Sequence, residues 1–147
     1  MSQVASYLNF ASSTEEAFQF YKKVFNPTYE LQIMRYGDVP TDGGTNELPD
    51  EVKNLVMHTQ LPILNNSHLL MGSDVPAFTG TTLSNGNNVN IMLMPDTREE
   101  ADRLFSELSA GGEIEQAMQD MFWGDYYGAF ADKFGIHWMI NVEGRLQ

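Results

Sequence analysis

The chain of 147 residues contains no cysteine, so disulfide bonds, thiolate nucleophiles and thiolate metal sites are excluded. Long apolar runs are absent as well, because no segment approaches the ~20 apolar residues that a membrane-spanning helix needs. The opening residues, MSQVASYLNF, lack a basic region followed by an apolar run and do not resemble a secretory signal. We expect a cytoplasmic protein that has no membrane partner.

Basic residues are also scarce, since eight Lys and Arg stand against twenty Asp and Glu, for a formal charge of -12 at pH 7. Such a chain repels phosphate backbones and anionic lipid surfaces, so nucleic acid is not expected as a partner. Two interpretations of the acidity stay open. It confers solubility alone, or it attracts a cationic ligand.

The hydrophobic residues, 42% of the chain, suffice for the core of one domain or of two small modules. In the first half, a short strand-like run leads into the apolar helical stripe of Ala17, Phe18 and Tyr21. Ser13 and Glu16 form a capping-box pattern at the start of that helix. Thr97 and Glu100 repeat the pattern.

A shift of 84 positions superimposes Glu15-Glu16-Ala17 on Glu99-Glu100-Ala101, so the chain contains an internal repeat. After each helix, runs of strand character are predicted. The runs are 29–36, 55–64 and 68–74 in the first half, and 113–118, 126–132 and 136–142 in the second. Each half is therefore predicted to be strand–helix–strand–strand–strand. The modules span about 1–78 and 88–147, joined by a polar linker at 79–87. The irregular segment 37–54 is either a lid or a surface excursion.

The duplicated pattern resembles the vicinal oxygen chelate superfamily of glyoxalases, bleomycin resistance proteins and extradiol dioxygenases, and in particular its PhnB-like branch. The motifs that carry the resemblance are EEAFQFYKKVF, VMHTQL, LLMGSD and FWGDYYGAFADKFGIHWMIN. The resemblance implies an α+β fold in which two tandem βαβββ modules form a curved, cup-like mixed sheet with helices outside. It also implies a homodimer.

Metal-dependent members of that superfamily hold a divalent ion with His, Gln or Glu from the first and last strands of the modules. The corresponding positions of this chain are Ser6 and Asn90 on the first strands, and Met71 and Met139 on the last. None of them is an imidazole or a carboxylate, and thioether sulfur suits only soft ions. We therefore predict no metal and no cofactor.

Any acid–base chemistry must use the three histidines. His58 shares a strand face with Gln60, and His137 shares one with Met139, so both are candidate catalytic residues. The alternative for each is a histidine that stabilises the sheet by hydrogen bonding. His68 is predicted to be a surface or hairpin residue.

The predicted pocket consists of Ser6, Met71, Asn90, Trp123 and Met139. Strand alternation places Ser6, Leu8 and Phe10 on one apolar wall with Met71 and Met139. Trp123 is predicted to fold over the mouth of the pocket, although burial in the core or in a dimer interface is an equal alternative. Trp138 and Ile140 are predicted to be core.

These features predict a metal-free, PhnB-like binder of a small organic molecule, cationic or aromatic. The alternatives are a metal-dependent enzyme of the glyoxalase or dioxygenase type, or a chain that works through dimer surfaces. PhnB-like proteins often carry a demethylubiquinone methyltransferase name. This chain has no strand followed by a glycine-rich loop of the kind that holds S-adenosylmethionine.

Overall fold

The computed structural model describes residues 2–39 and 48–144. It divides into two compact units, Met1–Ser84 and Asn85–Gln147, and their boundary lies within the predicted linker 79–87. Residues 40–47 of the predicted lid segment lie outside the described residues. Within the described ranges, no helix is long and apolar enough to span a membrane.

The first unit contains a four-stranded mixed sheet with the strand order β1-β4-β3-β2. Strand β1 is parallel to β4, and the other neighbours are antiparallel. Its elements are β1 (Ser6–Phe10), α1 (Thr14–Phe25), β2 (Met34–Arg35), a 3-10 turn (Tyr36–Asp38), α2 (Asp50–Lys53), β3 (Val56–Ile63), β4 (His68–Asp74) and a second 3-10 turn (Ala77–Thr79).

The second unit repeats this topology with the strand order β5-β8-β7-β6, again with the outer pair β5 and β8 parallel. Its elements are β5 (Ile91–Leu93), α3 (Arg98–Ser109), β6 (Glu113–Asp120), β7 (Tyr126–Ala131) and β8 (His137–Val142). The predicted α+β class, with two strand–helix–strand–strand–strand modules, is confirmed. The predicted strand over 29–36 is largely wrong, since only Met34–Arg35 pairs as a strand.

The core of the first unit lies between α1 and one face of the sheet. Ala17, Phe18 and Tyr21 are fully buried, as the helical stripe predicts. Gly72 of β4 leaves room for Phe18, because a Cβ atom at this glycine would lie 2.5 Å from the Phe18 Cε1 atom. The glycine therefore allows the aromatic ring to pack directly on the strand.

The core of the second unit lies between α3 and its sheet. Leu104, Leu108 and Phe130 are fully buried. The rings of Phe105 and Phe130 meet edge to face at 5.1 Å. Trp138 and Ile140 are fully buried as predicted.

The two long helices begin differently, and the predicted capping box at Ser13 is wrong. The Ser13 side chain makes no capping hydrogen bond. Instead, the Thr14 N–H and hydroxyl donate to the buried Asp74 carboxylate at 3.0 and 2.7 Å, and the Val56 N–H donates to it at 2.9 Å. Thr97 does cap α3, accepting from the Glu100 N–H at 3.1 Å. A residue 60 positions away thus replaces the local cap in the first unit.

Candidate functional site

Each sheet has one face that packs on its helix and one face that does not. In the first sheet the second face carries Tyr7, His58, Gln60 and Met71, and we call it the first open face. The strand register joins Tyr7 to Met71 and Gln60 to Met71, so these side chains lie on the same side. His58 shares that side by alternation with Gln60, as predicted.

The predicted placement of Ser6 with Met71 is wrong. Ser6 is the register partner of Leu70, which is fully buried on the helix side of the sheet. Its hydroxyl bonds to the Nε2 atom of His68 at 2.9 Å. Because side chains alternate along a strand, an error of one residue moves the whole strand to the opposite face. Leu8 and Phe10 are on the helix side for the same reason.

The source of this error is the internal repeat. The shift of 84 positions holds for the helices. In the first strands, Tyr7 pairs with Met71 and Met92 pairs with Met139, so Tyr7 corresponds to Met92 and the shift is 85. The first unit thus has one more residue between its first strand and its helix. Only the pairing register shows this difference.

His58 is held in a short polar chain on the first open face. Its Nδ1 atom lies 3.3 Å from the Tyr7 hydroxyl, and its Nε2 atom lies 3.5 Å from the Gln60 Oε1 atom. The arrangement is self-consistent when Tyr7 donates to Nδ1 and the Nε2–H points to Gln60. Both ring nitrogens therefore have partners within the protein.

A pocket of ≈ 380 Å³ lies beside this histidine in the first unit. The described residues that line it combine apolar, aromatic and polar side chains: Tyr29, Gln32, Ile33, Met34, Asp38, His58 and Gln60. His58 is the one predicted candidate among them. The segment before β2 forms one wall, and the Thr59 hydroxyl anchors it by donating to the Gln32 carbonyl at 3.1 Å.

Asp38 supplies a carboxylate to this pocket. Its Oδ2 atom accepts the Arg35 N–H at 2.9 Å, which positions the carboxylate at the turn after β2. The Arg35 guanidinium does not neutralise it, because that group pairs with Glu15 at 3.0 Å and donates to the Asn54 carbonyl at 2.8 Å. The described lining contains no Lys or Arg.

The second sheet has an equivalent face, which carries Met92, His137 and Met139, and we call it the second open face. Met92 and Met139 are register partners, and Met92 is 46% exposed. Asn90 lies one residue before β5, outside the paired register. The predicted alternation of His137, Met139 and Asn141 against Trp138 and Ile140 agrees with the pairing to β7.

His137 has a carboxylate partner that sequence spacing did not reveal. Its Nδ1 atom lies 2.8 Å from the Glu115 Oε1 atom, and the two side chains are 18% and 46% exposed. Glu115 is on β6, which is two strands away from β8 in the sheet order. No local sequence pattern connects the two residues.

Trp123 lies in a tight turn between β6 and β7. The Met121 N–H donates to the Asp125 carbonyl at 2.7 Å, and the Asp125 carboxylate accepts the Gly144 N–H at 2.9 Å and the Asn141 amide at 3.1 Å. These donors, the Gly144 N–H first, then Asn141 and the Trp123 side chain, lower the pKa of Asp125.

The tryptophan itself is 47% exposed, and it meets the ring of the exposed Phe122 edge to face at 4.8 Å. Its placement over a pocket mouth stays a prediction. The turn therefore holds an aromatic pair in a defined position on the second unit.

The residues at the four strand positions that metal-dependent members of the resembled superfamily use do not suit a catalytic divalent ion. With the corrected register, these positions are Tyr7 and Met71 in one unit, and Met92 and Met139 in the other. A phenol and three thioethers lack the imidazole nitrogens and carboxylate oxygens that such ions prefer. Among residues 2–39 and 48–144, no group of three or more His, Asp or Glu side chains could hold a metal.

The comparison with known proteins assigns the family. The sequence profile of the Glyoxalase/Bleomycin resistance protein/Dioxygenase superfamily matches residues 3–140, and the chain belongs to this superfamily. The resemblance predicted from the motifs is confirmed at this level.

Relatives match over nearly the whole chain. Protein YjdN of Escherichia coli (strain K12) is 29% identical over 144 residues, which cover 95% of this chain and 94% of YjdN. Protein PA1353 from Pseudomonas aeruginosa is 30% identical with a TM-score of 0.78, covering 97% of this chain and 98% of that one. A PhnB protein from Bacillus cereus has 22% identity and a TM-score of 0.72, covering 97% of this chain and 100% of that one. The structural neighbours thus include PhnB-like proteins.

Proposed function

We propose that this protein binds a small organic cation with an aromatic or apolar body, and that the pocket beside His58 is the binding site. The pocket lining carries the proposal. It has the size and the mainly apolar character of a small-molecule site, with a few polar groups that orient a ligand. No metal ion takes part in this binding.

The charge distribution favours a cation over an anion. Asp38 offers a carboxylate whose nearby cation, Arg35, is engaged by Glu15. Tyr29 adds an aromatic ring to the lining, and such rings attract ammonium groups. The chain's charge of -12 also draws cations toward its surface and repels anions.

The remaining lining suits an uncharged body. Ile33 and Met34 supply aliphatic and thioether surface, and methionine adapts to ligands of varied shape. Gln32 and Gln60 can donate or accept hydrogen bonds at the edges of the ligand. This combination favours a binder of moderate selectivity.

A methyltransferase function has little support. The Bacillus cereus PhnB protein is described provisionally as a 3-demethylubiquinone-9 3-methyltransferase, and at 22% identity its likeness extends to the fold alone. The two sheets of this chain are small and mixed, with one long helix each. They differ from the alternating α/β sheet that binds a nucleotide-like cofactor at its switch point.

The test compares three probes that share a phenyl ring and a short chain but differ in charge: phenethylamine, phenethyl alcohol and hydrocinnamate. Calorimetry and amide NMR shifts measure binding to the wild type, to Asp38→Asn and to Asp96→Asn. Asp96 is an exposed carboxylate of the second unit, so this variant matches the change in net charge. We expect the amine to bind best and to lose about 10-fold in affinity in Asp38→Asn alone, which equals about 1.4 kcal/mol.

Added salt should weaken the binding of the amine and leave the alcohol unaffected, because salt screens charge attraction. Equal binding of amine and alcohol, or equal losses in the two variants, would refute the cation site. If the amine shifts no pocket amide at any concentration up to its solubility limit, the proposal also fails.

The homodimer and the cytoplasmic location are part of the same proposal, supported by the family resemblance and by the sequence. Light scattering of the purified chain measures the first. Fractionation of the source cells measures the second.

A further inference from the structure

The second open face contains an imidazole whose orientation is set by a carboxylate. The Nδ1 atom of His137 lies 2.8 Å from Glu115 Oε1. A carboxylate oxygen can only accept, so Nδ1 must carry the proton of this hydrogen bond. In the neutral ring the lone pair is then on Nε2. Glu115 thereby selects the form of His137 that accepts a hydrogen bond at Nε2.

The fold brings this pair together across an intervening strand. Strands β6 and β8 flank β7, and neighbouring strands lie about 4.8 Å apart. The β7 partner of His137 is Ala131, whose methyl side chain leaves space above the sheet. The β6–β7 pairing shifts register between Ile114 and Gln116, which leaves Glu115 at the irregularity. Bulges of this kind re-aim a side chain.

The accepting nitrogen is available. Within the described part of the chain, Nε2 of His137 has no hydrogen-bond partner. The His137 side chain is also 18% exposed, so the ring is not sealed in the core. His58 differs, since both of its ring nitrogens lie near protein partners.

The surroundings of Nε2 favour an uncharged, partly apolar molecule. Met139 follows His137 on the same face, and Met92 is its exposed partner on β5. Glu113, on β6 opposite Ala131, adds negative charge near the pair. An anionic ligand would meet two carboxylates there, whereas a neutral donor group would not be repelled.

We infer that the second open face binds a small neutral molecule carrying a weakly acidic O–H group, of the phenol or enol class. The O–H donates to His137 Nε2, and the body of the molecule lies on the thioethers of Met92 and Met139. Glu115 is a positioning residue, which acts through His137. The inference does not rest on the cation pocket.

The first experiment determines the tautomer of His137 from its ring-nitrogen NMR shifts, at a pH where titration shows the ring to be neutral. We expect the proton on Nδ1 in the wild type. Glu115→Gln keeps an acceptor oxygen and should keep this tautomer, whereas Glu115→Ala should yield a mixture. Glu113→Ala serves as the matched control and should resemble the wild type. A wild-type ring with its proton on Nε2 would overturn the inference.

The second experiment measures binding of para-cyanophenol against para-cyanoanisole, which has the same body without the acidic proton. We expect the phenol to shift His137 Nε2 and to bind at least several-fold more weakly to His137→Phe and to Glu115→Ala. The anisole should bind all variants alike. Equal binding of the two probes to the wild type, or equal losses in Glu113→Ala and Glu115→Ala, would refute the site.

Two controls distinguish failure of this site from misfolding of a variant and from failure of the cation pocket. If His137→Phe fails to fold, the comparison of Glu115→Ala with Glu115→Gln still decides the outcome. Only Glu115→Gln keeps an acceptor for the Nδ1–H group, so only this variant should keep both the wild-type tautomer and the binding of the phenol. Asp38→Asn should leave phenol binding unchanged. Failure of the cation pocket and failure of this site are therefore distinguishable.

Discussion

The two units have the same strand order, yet they differ in the connection between their second and third strands. In the first unit the chain runs from Arg35 to Val56 and contributes Asp38 to the wall of the pocket. In the second unit the turn from Met121 to Asp125 makes the same connection and holds Trp123. A repeated fold thus carries different chemistry where its connections differ.

The histidines show a parallel difference. His58 is on the third strand of its sheet and has neutral partners, Tyr7 and Gln60. His137 is on the last strand and has the Glu115 carboxylate. The first open face is therefore suited to a ligand held mainly by neighbouring groups such as Asp38, whereas the second presents the imidazole itself.

The largest loss of unfolding free energy is expected from removing the buried carboxylates, which have different roles in the two units. Asp74 links α1 to β3, and Asp74→Ala would leave the Thr14 and Val56 N–H groups buried without an acceptor. We expect a loss of about 3 to 5 kcal/mol of unfolding free energy. Asp132 instead closes a turn by accepting from the Phe134 and Ile136 N–H groups, and it also accepts the indole N–H of the buried Trp138 at 2.8 Å.

Asp132→Ala should cost less, about 2 to 3 kcal/mol, because it leaves one fully buried donor, the Trp138 indole N–H, without an acceptor, whereas Phe134 and Ile136 are only half-buried. Urea unfolding of both variants measures the difference. Equal losses would mean that the number of fully buried donors left without an acceptor does not determine the cost.

A smaller loss of stability is expected from substituting alanine for a glycine in each sheet. Gly72→Ala would place a methyl group against the fully buried Phe18 ring, and we expect a loss of about 1 to 3 kcal/mol. Gly128→Ala would place its methyl group 2.6 Å from the Met118 sulfur, which can move aside, and 2.9 Å from the buried Phe105 ring. Since only the ring resists displacement, we expect a loss of about 1 to 2 kcal/mol. Thermal unfolding of the two variants would contradict this if Gly128→Ala were the worse.

The helix caps allow a finer test of the comparison. Thr97→Ala removes the acceptor for the Glu100 N–H and should cost about 1 kcal/mol. Ser13→Ala removes no capping bond and should change stability by less than ~0.5 kcal/mol. Denaturant midpoints decide between them, and a larger loss for Ser13→Ala would restore the capping box that the sequence predicted.

The smallest effect is expected when the pH is lowered and the turn that holds Trp123 loses the contribution of Asp125. Hydrogen bonds from Gly144, Asn141 and Trp123 lower the folded-state pKa of Asp125 below its usual 3.8. The contribution of Asp125 is therefore fully present above that value and is lost as the pH falls through the lowered pKa. Trp123 fluorescence should change in this acidic range and should not do so in Asp125→Asn. A Trp138→Phe background removes the second tryptophan signal.

Much of the fold could be predicted because its patterns are local. The stripe of Ala17, Phe18 and Tyr21 and the strand His68–Asp74 follow from side-chain periodicity within a few residues. The family resemblance also came from continuous motifs, and the sequence profile confirms it.

The candidate sites were predicted less completely. His58 was identified because alternation placed it beside Gln60, whereas Asp38 and Tyr29 come from segments without a strand or helix period. Ser6 was assigned to the wrong face because one extra residue changes the register. The partnership of Glu115 and His137 depends on how β6, β7 and β8 pair, which no local sequence pattern reveals.

The sequence by itself determined the composition limits, the two modules, the helical and strand stripes and the superfamily. These depend on the identity of neighbouring residues and on fixed helical and strand periods. The tertiary structure alone decided which face Ser6 and Tyr7 occupy, which carboxylate orients His137 and which residue caps α1. Those outcomes depend on pairing between strands far apart in the chain, where a shift of one residue reverses the face without changing the local pattern.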